Sequence, residues 1–231
     1  MEKTLNKYKL TISAFLAILF HVSGLIGILY TDHKDWFIAN TSLNLILMAT
    51  LLVWNQPKPN KAFLLFLLTA FLTGMGSEMI GVNTGKLFGC YHYGQVLGQH
   101  FNGVPWLIGV NWFVIVYCSG VIMQKAIDWM SLKYEESGGR LSKRMLTISL
   151  ILDGALLTVF FDWVMEPVAV KLGFWEWEGG LIPFFNYLCW FLISAALLLL
   201  FRYLRFDKTN HFAVHLFIIQ LLFFLTLRWH L

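Results

Sequence analysis

Charge is what this sequence has least of. Only 13% of its 231 residues are Asp, Glu, Lys or Arg, while 58% are hydrophobic. A soluble domain carries roughly a quarter charged residues and about half apolar ones, so the scarcity excludes an ordinary soluble fold and indicates an integral membrane protein. Cysteine is sparse as well: Cys90, Cys118 and Cys189 form no CxxC pair and no metal-ligand spacing, which argues against a disulfide framework and a zinc site. Histidine clusters are lacking. A membrane di-iron oxygenase or desaturase needs several HxxxH or HxxHH clusters, and the chain has one, His211 and His215. A retinal protein needs a lysine in its last helix, and the run Phe212–Leu227 has none. With no ligand cluster and no phosphate-cradling loop, no bound metal, haem, flavin or nicotinamide cofactor is expected.

What the chain does have is long apolar runs. They predict an all-α polytopic bundle of seven transmembrane helices at about 10–30, 37–54, 62–80, 104–123, 146–165, 183–203 and 212–227, a single integral membrane domain over 1–231. The first run is longer than the usual ~7–15-residue signal core and lacks an A-x-A site, so it is read as an uncleaved helix. Most of the basic residues fall at the N-terminus (Lys3, Lys7, Lys9) and in every second loop, leaving only Lys34, Lys86, Lys171 and Arg228 on the other side. The positive-inside rule therefore predicts the N-terminus in the cytoplasm and the C-terminus outside. Topology also accounts for the net charge of +4, so no nucleic-acid partner is implied. The expected location is a multi-pass cell membrane protein, of a bacterial inner membrane. KYEESGGRLSK (Lys133–Lys143) is expected to be a solvated inner linker.

Two stretches break the apolar pattern, GMGSEMIGVNTGKLFGCYHYG (Gly74–Gly94) and FFDWVMEPVAVKLGFWEWEGGLIPFFNY (Phe160–Tyr187). Acids inside or at the end of a spanning helix are costly, and this marks Glu78, Asp162 and Glu166 as functional candidates. Asp162 and Glu166 are four apart and share a helical face, after which Pro167 is expected to end or bend the helix. The topology places all three acids at similar depth near the outer face, so the two stretches are expected to meet and form one site. Carboxyl groups crowded in a dry pocket cannot all ionise easily, and one of them is expected to stay protonated and act as a proton donor. A purely structural role, with the acids fixing helix packing or facing water, is the plainer alternative.

Around such a donor, aromatic faces can stabilise a carbocation. Trp112, Trp163, Trp175, Trp177, Tyr91 and Tyr93 are the candidates, although tryptophans and tyrosines also form interfacial belts, where Trp106 and Trp190 are expected. If Trp175–Glu176–Trp177 is extended, both indoles point one way and Glu176 the other. Asn83, Thr84 and Asn186 are candidates to hold a water, or are ordinary cap and turn residues. Asp153 lies nine residues before Asp162, about 13 Å along the axis and on another face. It is expected to pair with Asn44, Asn111 or a hydroxyl elsewhere in the bundle.

The runs GSEMIGVNTGKLFGCYHYG, GVPWLIGVNW, FDWVMEPVAVKLGFWEWEGG and IPFFNYLCWF resemble the membrane-embedded carotenoid biosynthesis protein family, which includes carotenoid 1,2-hydratases and bisanhydrobacterioruberin hydratase. The family patterns fall on Glu78, Gly81, Thr84, Gly85, Phe88, Gly89, Tyr91 and Tyr93; on Asp162, Glu166 and Pro167; on Trp175 and Trp177; and on Pro183, Asn186 and Trp190. Glu166–Pro167 stands where many relatives have Asp-Pro. The resemblance covers about half the chain, from the third to the sixth expected helix. It implies a cofactor-independent hydro-lyase that adds water to the terminal 1,2 double bond of an acyclic ψ end group, as in lycopene, γ-carotene or a C50 precursor. Catalytic roles then fall to Asp162, Glu166 and Glu78, and substrate contacts to Trp163, Trp175, Trp177, Tyr91, Tyr93, Asn186 and Thr84. The implied partners are the carotenoid, the lipid bilayer and other carotenoid-pathway enzymes. Two rival readings share the residues: an enzyme that cyclises or isomerises the same end group, and a non-enzymatic carotenoid-binding or transport protein.

Overall fold

The computed structural model describes residues 2–231, with side chains from Lys7 onward; Lys3, counted above among the inner basic residues, has its side chain outside the described residues. The helices are α1 (Glu2–Tyr30), α2 (Lys34–Ala39), α3 (Thr41–Trp54), α4 (Lys61–Thr84), α5 (Leu107–Glu136), α6 (Lys143–Lys171), α7 (Phe184–Tyr203) and α8 (His211–His230). Four short strands, β1 (Tyr91–Tyr93), β2 (His100–Phe101), β3 (Val104–Pro105) and β4 (Trp175–Trp177), lie in the two longest connections. The all-helical membrane bundle expected from the apolar runs is therefore what the chain forms, and among the described residues six helices are long and apolar enough to cross a bilayer.

The expected second span, 37–54, is divided. α2 stops at Ala39 and α3 restarts at Thr41. At the junction the Asn40 side-chain amide donates to the Trp36 carbonyl at 2.8 Å, one of the local side-chain bonds by which asparagine competes with a continuing helix. At 14 residues, α3 is about 21 Å long, short of a ~30 Å hydrocarbon core. The inner linker is also shorter than expected, because α5 continues through Lys133 to Glu136.

Hydrogen bonds show which loops share an end of the bundle. At one end, the Tyr117 hydroxyl donates to the Gln56 side-chain carbonyl, whose amide donates to the Asp207 carbonyl at 2.7 Å. Asn210 donates to the Leu52 carbonyl at 2.9 Å and Asn60 to the Arg205 carbonyl at 3.0 Å, so the 55–60 and 204–210 turns are tied together. At the other end, Ser42 at the start of α3 donates to the Val96 carbonyl at 3.3 Å, and β1 pairs antiparallel with β4. α3 thus runs from one end to the other despite its length.

Helix α6 packs against α5, α7 and α8 and carries two of the three candidate acids. Pro167 does not end it: α6 continues to Lys171. Proline has no N–H to give the carbonyl four residues back, and that carbonyl, on Trp163, accepts instead from the Arg228 guanidinium of α8 at 2.6 Å. The same guanidinium lies 4.0 Å over the Trp163 ring. An external donor thus replaces the missing rung of the helix.

Candidate active site

The site is assembled where α4, α6 and α7 come under a two-stranded flap. In the flap, Tyr91 pairs with Trp177, His92 with Glu176 and Tyr93 with Trp175. Strand alternation then sorts the side chains. Trp175 and Trp177 turn inward and are buried with Tyr91, while Glu176 lies outward, 3.5 Å from His92. The expected opposite orientation of the indoles and Glu176 is therefore met. Two glycines let the flap close. Gly85 caps α4 in the left-handed conformation, φ +64°, and a Cβ on Gly94 would stand 2.2 Å from the Gly173 carbonyl oxygen, closer than any side chain tolerates.

Beneath the flap, Glu78, Asp162 and Glu166 are buried at 5%, 0% and 3% exposure. They line one cavity of about 20 Å³ together with Asn186 and the rings of Phe88, Tyr91, Tyr93, Trp112, Trp175, Trp177 and Trp190. That volume is room for about one water. The acids brought together here are the three that the sequence singled out.

Their hydrogen bonds differ. Glu78 accepts from three donors: the Tyr91 hydroxyl, the Tyr93 hydroxyl at 2.7 Å and the Trp112 indole N–H at 2.9 Å. Burial, and then the neighbouring Glu78 carboxylate, push both phenols above their ordinary range, so they remain protonated donors. Glu166 accepts from the indoles of Trp175 and Trp177 at 3.0 and 2.9 Å on one oxygen, with the Asn186 amide 3.4 Å from the other. The same Asn186 amide donates to Asp162 Oδ2 at 2.9 Å. Asp162 Oδ1 is buried and has no hydrogen-bond partner among the described residues. Indole and amide N–H groups only donate, so the bonded oxygens of Glu78 and Glu166 are held as acceptors. Among the described residues, Asp162 Oδ1 is the one carboxyl oxygen of the three acids that is sealed from solvent and left unpaired.

Not every candidate is here. Trp163 is 46% exposed and engaged with Arg228 on the outside of α6, so its ring does not line the cavity. Thr84 is exposed at the end of α4, its hydroxyl bonded to the Ile80 carbonyl at 2.5 Å. Asn83 likewise ties α4 to the Asn102 carbonyl at 3.0 Å. Asp153 pairs with neither Asn44 nor Asn111: it is exposed and accepts from Ser149, one turn earlier, at 2.5 Å. His211 and His215 are exposed at the start of α8.

Trp190 is a correction in the opposite sense. Expected in an interfacial belt, it is 4% exposed and stacked on Trp112 with ring centroids 3.8 Å apart and planes 9° off parallel. Trp112, one of the aromatic candidates, is fully buried beside Glu78, and Gly74 makes room for it: a Cβ there would lie 2.5 Å from the Trp112 ring.

The acid cavity abuts a larger one. A groove of about 480 Å³ runs between α1, α2, α3, α5, α6 and α8, mostly lined by Leu, Ile and Phe. Ile108, Asn111, Met165 and Trp175 border both spaces. The arrangement offers an apolar slot ending at three buried carboxyl groups, one of them with an unpaired oxygen, between stacked aromatic walls.

An alignment over 150 residues pairs the chain at 29% identity with the bisanhydrobacterioruberin hydratase of Haloarcula japonica, covering 63% of this chain and 46% of that protein. The chain thus spans about half of that relative's length. No solved structure matches it. The profile of the family described as carotenoid biosynthesis protein matches residues 38–229, most of the chain, and the protein belongs to that family.

Proposed function

We propose that the protein is a carotenoid hydratase acting on the terminal 1,2 double bond of an acyclic ψ end group. The observation that carries this reading is the junction of an apolar groove with a one-water cavity walled by three acids and seven aromatic rings. In the proposed reaction Asp162 Oδ1 gives its proton to C2, and the π electrons leave a tertiary cation at C1. The faces of Trp112, Trp177 and Tyr91 stabilise that cation. Water then bonds to C1 as its proton passes to Glu166, and Asn186, bonded to both acids, lies on the path that returns a proton to Asp162. The product is a tertiary alcohol, and no redox change occurs. Glu78, held by three donors, fixes the flap and the negative charge near the cation. The chemistry calls for no redox cofactor, and hydration is expected to proceed in EDTA.

The reading includes seven crossings of a bacterial inner membrane, with the N-terminus in the cytoplasm and the flap outside. Reporter fusions at Gly138 and Gly179 are then expected on opposite sides of the membrane. Finding both on one side contradicts it.

The function is tested by expressing the chain in a lycopene-producing bacterium and analysing the pigment. The expected product has gained one water as a tertiary alcohol. A cyclic or bond-shifted isomer without added mass identifies a cyclase or isomerase instead. Unchanged pigment identifies a binding or transport protein.

A further inference from the structure

A hydratase consumes one water per turnover, and the acid cavity holds about one. Each cycle therefore requires a new water to reach a space enclosed by buried side chains. The groove supplies a wall suited to that task. Most of it is hydrocarbon, but it also carries polar residues: His21 and Ser23 of α1, Gln220 of α8, and, on the side of α2, α3 and α5, Asn40, Thr41, Asn44 and Asn111. Asn40 and Thr41 sit at the α2–α3 break. Asn44 lies about 5 Å further along α3 and Asn111 one turn into α5. Asn111 borders both the groove and the acid cavity.

The Asn44 side-chain oxygen is buried and has no hydrogen-bond partner among the described residues. A buried acceptor left unpaired costs about 1–3 kcal/mol, and hydrocarbon cannot satisfy it. Ordered water can, and internal waters are found bridging such groups.

We propose that this polar wall, with Asn44 as its central residue, holds water in the groove and passes it by way of Asn111 to the acid cavity. The break in the second apolar run thus has a function: it adds an asparagine and a threonine to the lining of a mostly apolar slot. The proposal rests on the hydratase reading, in which the same cation can be captured by water or can lose a proton again. If water delivery fails, protonation at C2 still occurs, but the proton is lost and the alkene re-forms. In D₂O that futile cycle leaves deuterium at C2 of the recovered alkene, because a deuteron adds and either hydrogen isotope can leave.

The experiment uses the full chain in liposomes with lycopene in D₂O, comparing wild type, Asn44→Leu and Asn44→Gln. Asn44→Leu is expected to form alcohol about tenfold more slowly, the effect of about one lost hydrogen bond, while deuterium in recovered lycopene stays at or above the wild-type level. Asn44→Gln, which restores an amide, is expected to recover much of the alcohol. If alcohol and deuterium fall together, or neither changes, the water path is wrong. A loss seen only with polyenes that already carry a hydroxyl also overturns it, because Asn44 then recognises an oxygen on the substrate. A wild-type protein that forms neither alcohol nor deuterated lycopene overturns the hydratase reading itself, and the path with it.

Discussion

Replacing Tyr91 or Tyr93 by phenylalanine removes a hydroxyl and leaves the ring. Both phenols donate to the same oxygen of Glu78, which is buried at 5% exposure and has Trp112 as its third donor. A hydrogen bond to a charged group contributes about 1.5–3 kcal/mol net, and keeping the ring avoids a cavity cost. Each single variant is therefore expected to lose about 1.5–3 kcal/mol of unfolding free energy. The two bonds share one acceptor, so a surviving phenol compensates in part for the loss of the other. The double variant, leaving Glu78 only the Trp112 indole, should cost more than the sum of the singles, as groups sharing a partner couple. Unfolding in detergent micelles, followed by tryptophan fluorescence, measures all four proteins, and pigment turnover follows the same order if Glu78 anchors the flap. Single variants within about 0.5 kcal/mol of wild type, with an additive double, would refute the three-donor account of Glu78.

Three further outcomes follow from neighbouring contacts. Gly74→Ala puts a Cβ 2.5 Å from the Trp112 ring, and the overpacking should cost about 1–3 kcal/mol and lower turnover by drawing the indole off Glu78. Arg228→Met should destabilise the protein less in a Pro167→Ala background than in wild type, because residue 167 then has an N–H for the Trp163 carbonyl; a double-mutant cycle on unfolding measures this, and an additive result contradicts it. The Tyr91 and Tyr93 phenols have raised folded-state values, so their contribution to stability is complete below the ordinary tyrosine value of about 10 and is lost as pH rises above it. The fall in stability between about pH 9 and pH 11 should be smaller in the Tyr91→Phe, Tyr93→Phe double variant, and an equal fall would argue against the assignment.

The bundle was legible because membrane insertion is governed by hydrophobic length, which a single sequence carries in full. The second run misled for the same reason: hydropathy counts Asn40 as one polar residue among apolar ones, whereas the side chain bonds to Trp36 and divides the helix. Depth was also legible, since helix phase and loop charge put Glu78, Asp162 and Glu166 at one level. The direction each helix faces was not. Trp163 follows Asp162 directly, yet a step of one residue turns about 100° around a helix, enough to carry its ring from the cavity to Arg228. Trp190 was assigned to a belt because tryptophans favour interfaces, while its stacking on Trp112 depends on how α5 and α7 pack. The inward face of the WEW strand was readable because strand alternation is local. The partners of Glu78 were less so, because Tyr91, Tyr93 and Trp112 come from two other segments.

The central claim is that Asp162 supplies the proton. Asp162→Asn keeps the shape and the contact with Asn186 but removes the titratable proton, and Glu166→Gln and Glu78→Gln serve as comparisons in purified protein with lycopene. The account predicts that Asp162→Asn loses hydration by about 10²-fold or more, and loses deuterium incorporation in D₂O to the same extent, while still folding and retaining carotenoid. Near wild-type turnover in Asp162→Asn would contradict the claim; if all three amide variants behaved so, the carboxylates would be structural and the acid would have to be sought elsewhere.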